Sequence, residues 1–303
     1  MIDTHSHLDF PQFDQDREEV ISRAFDNGVK AIINIGVDLE RSRKSIAIAE
    51  KHKGIFASVG LHPDFFSSAE KEFSIFNFQF PNKFEISNPK HENLFSELKN
   101  IAKNKKVVAI GETGLDYFSH TANPITFKQK ENQKKGFLAQ IEIARELGLP
   151  MIIHCREAWD DLFEIISKSK IQNPKPQTLK ETKHYASNIK FVLHCYSGEK
   201  KDTEKFLKFP NVYFSFSGNI TYPKPVERAK KLAEAVRMIP LDKIMLDSDS
   251  PFLAPQEVRG KRNEPIFVKY IAKKIAEIKR VSEDKVEKAT SENAKKFFGI
   301  YFR

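Results

Sequence analysis

The sequence predicts an α/β protein, a single (β/α)8 TIM barrel over residues 1–303 with a metal site at the C-terminal ends of its strands. Three observations predict it. Short apolar runs recur eight times, mostly separated by stretches of helical periodicity. No composition break divides the chain into halves. Most of the apolar runs lead directly into a histidine or carboxylate, the position at which such barrels carry their chemistry.

Residues 2–7 have the length of a short strand, and alternation sends His5 and His7 to the same face. Two imidazoles one pleat apart can hold one metal ion, although such a pair also occurs on solvated surfaces. Residues 14–28 carry a helical pattern with Val20, Ile21, Ala24 and Phe25 on one face and Gly28 as a stop. Residues 29–36 (VKAIINIG) read as a buried strand, 39–51 as a helix and 54–62 (GIFASVGLH) as a third strand. The rhythm then breaks. A Phe-rich segment and Pro89 precede a helix over 92–103, so a surface insertion is expected at about 67–95.

The fourth strand is expected over 106–111 (KVVAIG), followed by a long helix over 127–147 and a fifth strand at 150–155 (PMIIHC). A helix over 159–167 leads into a polar loop, with a second insertion at about 168–188. Strands six, seven and eight are placed at 190–195 (KFVLHC), 212–218 (VYFSFSG) and 243–247 (KIMLD), with a helix over 226–238. The remainder, 266–298, reads as helical.

Lysine and arginine exceed aspartate and glutamate by 50 − 41 = 9. That excess fits an anionic partner such as nucleic acid, but the lysines are scattered and form no single basic block. Two cysteines, Cys155 and Cys195, are too few for a disulfide framework and suit a reducing, cytoplasmic compartment. Each follows a histidine, so in a strand it should face the outer helices as a packing residue. No run approaches the ~18 apolar residues of a membrane span, and no targeting segment is expected before the first strand. A monomer is the default expectation.

The strand ends supply His5, His7, Glu112, His154, His194 and Asp249. Six nitrogen and oxygen donors exceed what one four-coordinate zinc requires and suit two divalent cations, with Glu112 placed to bridge. Two such cations make a clamp for hydrolysis. Three further residues stand near the same mouth. His62 touches substrate or caps a turn, and Arg156 holds a phosphate or forms a surface ion pair. Arg262, in a basic loop after the eighth strand, grips a phosphodiester or belongs to an ordinary polar loop.

These motifs, in this order, resemble the TatD-family metal-dependent deoxyribonucleases of the wider amidohydrolase-like barrel superfamily. The match runs from DTHSHLD at the start through GLHP (60–63), GETGLDY (111–117), HCREA (154–158) and HCYSG (194–198) to DSDSPFL (247–253) and RNEP (262–265). The resemblance implies metal binding by His5, His7, Glu112, His154, His194 and Asp249. It also implies a DNase dependent on Mg2+, Mn2+ or Zn2+, acting as a 3′–5′ exonuclease on single-stranded DNA. Asp249 would then serve as base and Glu112 as the bridge, with His62, Arg156 and Arg262 on the phosphate. Two departures bear on this. The family's Glu-Thr-Asp is here Asp247-Ser248-Asp249, and the stretches at 67–95 and 168–188 are longer than usual. The alternative is hydrolysis of an ester or amide in a small molecule or aminoacyl conjugate. Relatives of that kind commonly use a carboxylated lysine where this chain has Glu112.

Overall fold

A computed structural model describes residues 1–67, 89–119, 124–171 and 189–301. Its eight strands are β1 (Ile2–Ser6), β2 (Ala31–Ile35), β3 (Ile55–Val59), β4 (Val107–Asp116), β5 (Met151–Arg156), β6 (Phe191–Leu193), β7 (Val212–Phe216) and β8 (Ile244–Leu246). They pair in sequence order, each parallel to the next, into one eight-stranded sheet. The sheet curls into a nearly closed barrel. Beyond β8 the chain meets β1 through Asp249 N to His5 O (2.9 Å) and His7 N to Ser250 O (2.8 Å). That closure sets Asp249 beside the two histidines of β1.

Continuous apolar runs make these strands because both of their faces are buried. Ile33, Ala109, Ile152, Val192 and Met245 share one apolar cluster, together with Phe297, Phe298 and Ile300 at the end of the chain. The alternating residues Ile32, Ile110, Ile153, Leu193 and Leu246 belong to the larger cluster beneath the helices. His154 continues the row of Ile152 along β5, which aims it at the mouth, and His194 is the first residue past β6.

Around the barrel lie α1 (Arg17–Asp26), α2 (Leu39–Lys51), α3 (Pro63–Ser67), α4 (Pro89–Ile101), α5 (Phe127–Leu147), α6 (Trp159–Ile171), α7 (Lys200–Phe206) and α8 (Val226–Met238). The expected helical run over 266–298 divides into α9 (Val268–Lys279) and α10 (Glu283–Phe298). Arg280 takes a left-handed conformation (φ 56°), and the Ser282 side chain accepts from Lys285 N to start the next helix. The strand expected at 106–111 continues instead to Asp116, whereas the sixth stops at Leu193. The two expected insertions, 67–95 and 168–188, lie mostly outside the described residues.

Helix α5 supports the mouth through two buried glutamines. The Gln133 amide accepts from Asp116 N (2.8 Å) and donates to Asp116 O (2.7 Å). Gln140 likewise accepts from Leu61 N (2.8 Å) and donates to Leu61 O (3.0 Å). Each amide thus pairs both backbone groups of a residue at the end of a strand, as a neighbouring strand would. Gln140→Ala strands the N–H and C=O of Leu61 in the interior. We expect a loss of roughly 2–4 kcal/mol, read as a lower urea midpoint at an unchanged slope.

Candidate metal centre

The donors predicted from the strand ends converge. His5 Nε2 and His7 Nε2 are 3.2 Å apart, and Glu112 Oε2 stands 3.5 Å from the first and 3.8 Å from the second. Asp249 Oδ1 lies 3.8 Å from His5 Nε2 and 3.6 Å from His7 Nε2. On the other side of the Glu112 carboxylate, Oε1 is 2.8 Å from both His154 Nδ1 and His194 Nε2, and 3.7 Å from His62 Nε2. Glu112 therefore faces one donor set with each oxygen.

Its ligand-type atoms fall into three overlapping triads: His5–His7–Glu112, His5–His194–Asp249 and His62–Glu112–His154. Around a four-coordinate ion with ~2.0–2.1 Å bonds, neighbouring donors stand about 3.3–3.4 Å apart. The first triad, with separations of 3.2, 3.5 and 3.8 Å, comes within half an ångström of that spacing. All-nitrogen-and-oxygen donors with a carboxylate between them suit divalent cations of the Mg2+, Mn2+ and Zn2+ class.

Burial raises the proton affinity of Glu112, but His194, His62 and His5 outweigh it and hold the carboxyl well below the usual carboxylate range. Burial lowers His154, yet Asp116 and Glu112 bring it up to about 9. His194 is driven well above its ordinary value by Glu112 and Asp247 against the same burial. His5 moves the other way, lowered by burial and by His194. The cluster is thus built for positive charge, and a cation seated there replaces protons.

The cavity above the cluster has a volume of about 510 Å3 and is rimmed by Phe10, Val37, Phe65 and Phe252. Phe252 is 45% exposed, and its ring meets Phe10 edge to face at 5.9 Å.

The family model described as TatD related DNase matches residues 2–299. The chain belongs to the TatD-related DNase family. An uncharacterized metal-dependent hydrolase of Bacillus subtilis, YabD, is 34% identical over 99% of both chains. The 3′-5′ ssDNA/RNA exonuclease TatD of Erwinia amylovora is 28% identical over 99% of this chain and 100% of its own. Among solved structures, the Escherichia coli TatD homologue YJJV superposes with a TM-score of 0.78 at 25% identity, covering 99% of this chain and 98% of that one. The chain is, with its family, a metal-dependent hydrolase.

Several residues of this TatD-family site escaped sequence reasoning. Asp116 lies on the same face of β4 as Glu112, with Oδ2 3.2 Å from His154 Nε2. Taking Gly111 as the end of the strand hid it. Gly114 between them is required by space and backbone alike. Its φ is 140°, and a Cβ there would come 2.1 Å from His154 O. Asp3 binds Ser248 through N–H (2.9 Å) and Oγ (2.7 Å), and burial pushes its carboxyl up to about 8. The Asn263 amide donates to Ser248 O and Phe252 O, both at 2.6 Å, which fixes the loop carrying Asp249.

Asp247, at the departure from the family pattern, is wholly buried. It accepts from Ser215 Oγ (2.7 Å), Ser217 Oγ (2.8 Å) and Cys195 N (2.9 Å) and faces His194 Nδ1 at 3.6 Å. Burial opposes its charge, but His194 and His5 keep its carboxyl below the ordinary range. As the carboxylate that faces His194, Asp247 should tune metal affinity. Asp247→Asn is expected to weaken metal binding about 10–100-fold, read by competition with a chromogenic chelator.

Of the three proposed phosphate contacts, His62 lines the cavity, and its ring packs on His154 with centroids 4.6 Å apart. Arg156 and Arg262 do not line it. The Arg156 guanidinium stacks on Phe118, 3.4 Å from the ring centroid. Arg262 is held by both oxygens of Asp16 (2.7 and 2.6 Å), by Gln12 O (2.6 Å) and by Glu264 (3.1 Å). It ties the loop after β8 to the segment before α1. Cys155 is buried in the main core as expected. Cys195 departs from expectation. β6 ends before it, its φ is 44°, and its thiol accepts from Asn219 Nδ2 (3.4 Å), so strand alternation does not apply.

Proposed function

We propose that this chain is a divalent-metal-dependent deoxyribonuclease that removes nucleotides from the 3′ end of single-stranded DNA, as a cytoplasmic monomer. The observation that carries the reading is the pairing of the buried His/Glu/Asp cluster with an aromatic rim. Exposed Phe252 beside Phe10 gives a nucleobase a face to stack on next to the reactive groups. The exonuclease name of the Erwinia relative supports the same substrate class.

In this reading His5, His7 and Asp249 would hold one cation and His154 and His194 the other, with Glu112 facing both sets. Such cations would supply an activated water and neutralise charge on the phosphate oxygens. Asp249, its side chain 15% exposed in the open cavity, takes the proton of the attacking water. Glu112, 5% exposed, stays ionised and keeps the histidines oriented. His62 reaches the phosphate from the cavity wall.

The test is degradation of end-labelled single-stranded DNA after chelation, with Mg2+, Mn2+ or Zn2+ added back. Stepwise metal-dependent shortening from the 3′ end is the expected result. Folded, metal-loaded protein that leaves DNA intact but cleaves members of an ester or amide panel would overturn the nuclease reading.

A further inference from the structure

A second cavity, of about 470 Å3, opens beside the metal centre, and its charge is of one sign. Lys224, Arg228, Arg259 and Lys261 line it, and no carboxylate does. Glu227, the acidic neighbour of Arg228 in sequence, pairs instead with Lys230 at 3.2 Å. The Arg259 guanidinium lies 3.8 Å from the centroid of the Tyr222 ring, and that ring is anchored by its hydroxyl donating to Ala254 O at 2.9 Å. An aromatic face therefore positions this cation without neutralising it. Four cations gathered around one hollow repel one another, and an anion relieves that repulsion.

The hollow adjoins the metal centre through a single strip of chain. Asp249 and Phe252 face the metal cavity, while Pro251 and Leu253 line the basic one. Four Cα steps separate Asp249 from Leu253, a reach of at most about 14 Å. A nucleic-acid strand in helical geometry carries one phosphate per ~3.4 Å, so one strand can place a phosphate at each site.

We propose that the cavity of Lys224, Arg228, Arg259 and Lys261 is a second phosphate subsite. It takes the backbone of the nucleic-acid strand across Phe252 from the bond being cut. The proposal rests on the nuclease reading and adds to it where the strand runs. The phosphate at the metal centre is cleaved, and the one in the basic cavity is held.

The experiment compares wild type with Arg228→Ala/Lys261→Ala and Arg228→Glu/Lys261→Glu. All four positions lie on the surface in exposed segments, and their replacement leaves the core intact. Two kinds of substrate are used: a 12-mer of single-stranded DNA, with an RNA of the same sequence, and bis(p-nitrophenyl) phosphate, which has a single phosphate and so cannot fill the second cavity while it occupies the metal centre. The alanine pair should raise the oligonucleotide KM about tenfold and lower the log–log salt slope by about 1.4, two contacts' worth. The glutamate pair should raise it further. Turnover of the small diester should stay within about twofold, since its transition state touches only the metal centre. An unchanged oligonucleotide KM and salt slope in an active enzyme would overturn the subsite alone. An equal loss on both substrates would overturn it too, by showing that the residues act through the metal centre. A wild type that cleaves the small diester but binds and cleaves neither nucleic acid would overturn the nuclease reading and the subsite together.

Discussion

Glu112→Gln is expected to reduce hydrolysis by at least about a thousandfold and to leave the protein folded. The reason is the position of this carboxylate. Its two oxygens face opposite donor sets, 3.5 Å from His5 on one side and 2.8 Å from both His154 and His194 on the other. The amide keeps the shape but supplies one neutral oxygen, so the two sides cannot both be served. His154 and His194 lose one of the carboxylates that raise their proton affinity but keep Asp116 and Asp247 beside them, so neither is left without a partner. Circular dichroism and the urea midpoint should therefore stay close to wild type while turnover and metal content fall. Wild-type turnover in this variant would remove Glu112 from the reaction.

Asp249→Asn has the second large effect, and a different signature. Its side chain is the more exposed of the two proposed ligand carboxylates, 15% against 5% for Glu112, which suits it to meet water. Its backbone lies in the left-handed region (φ 53°), where asparagine is accepted as readily as aspartate. The substitution therefore removes a proton acceptor without a backbone penalty, which alanine would incur. A fall in kcat of about 10^2–10^4, with the oligonucleotide KM changed only a few-fold, is expected from single-turnover and steady-state kinetics. A rise in KM at constant kcat would instead make Asp249 a substrate-binding residue.

His5 and His7 were legible because one pleat separates them, and His154 and His194 because each sits at the end of an apolar run. Strand alternation then decides the direction of His154, which follows Ile152 on one face of β5. Asp116 was not legible, because two glycines around Glu112 resemble a strand stop. In the barrel those glycines allow close approach of β5, and β4 continues through them to Asp116. Gln133 and Gln140 were hidden for another reason. Helical periodicity marks apolar faces, and a buried amide that completes a strand's hydrogen bonds leaves no such mark. Arg262 misled in the opposite direction. An arginine in a basic loop reads as a phosphate ligand until its partners, Asp16 and Glu264, come close from distant sequence. The basic cavity was invisible for that reason as well. Lys224 and Arg228 stand at the start of α8, and Arg259 and Lys261 after β8, so only the fold gathers them.

The most direct test of the central claim, that this buried cluster holds the ions on which hydrolysis depends, is a metal count by mass spectrometry. Wild type and Glu112→Gln are stripped, reloaded with Mn2+ or Zn2+ and desalted, and activity is read on the same samples. Two ions per wild-type chain, at most one in the variant, and activity that tracks occupancy are predicted. Metal content unchanged by the substitution, or full activity in stripped protein, would contradict the account.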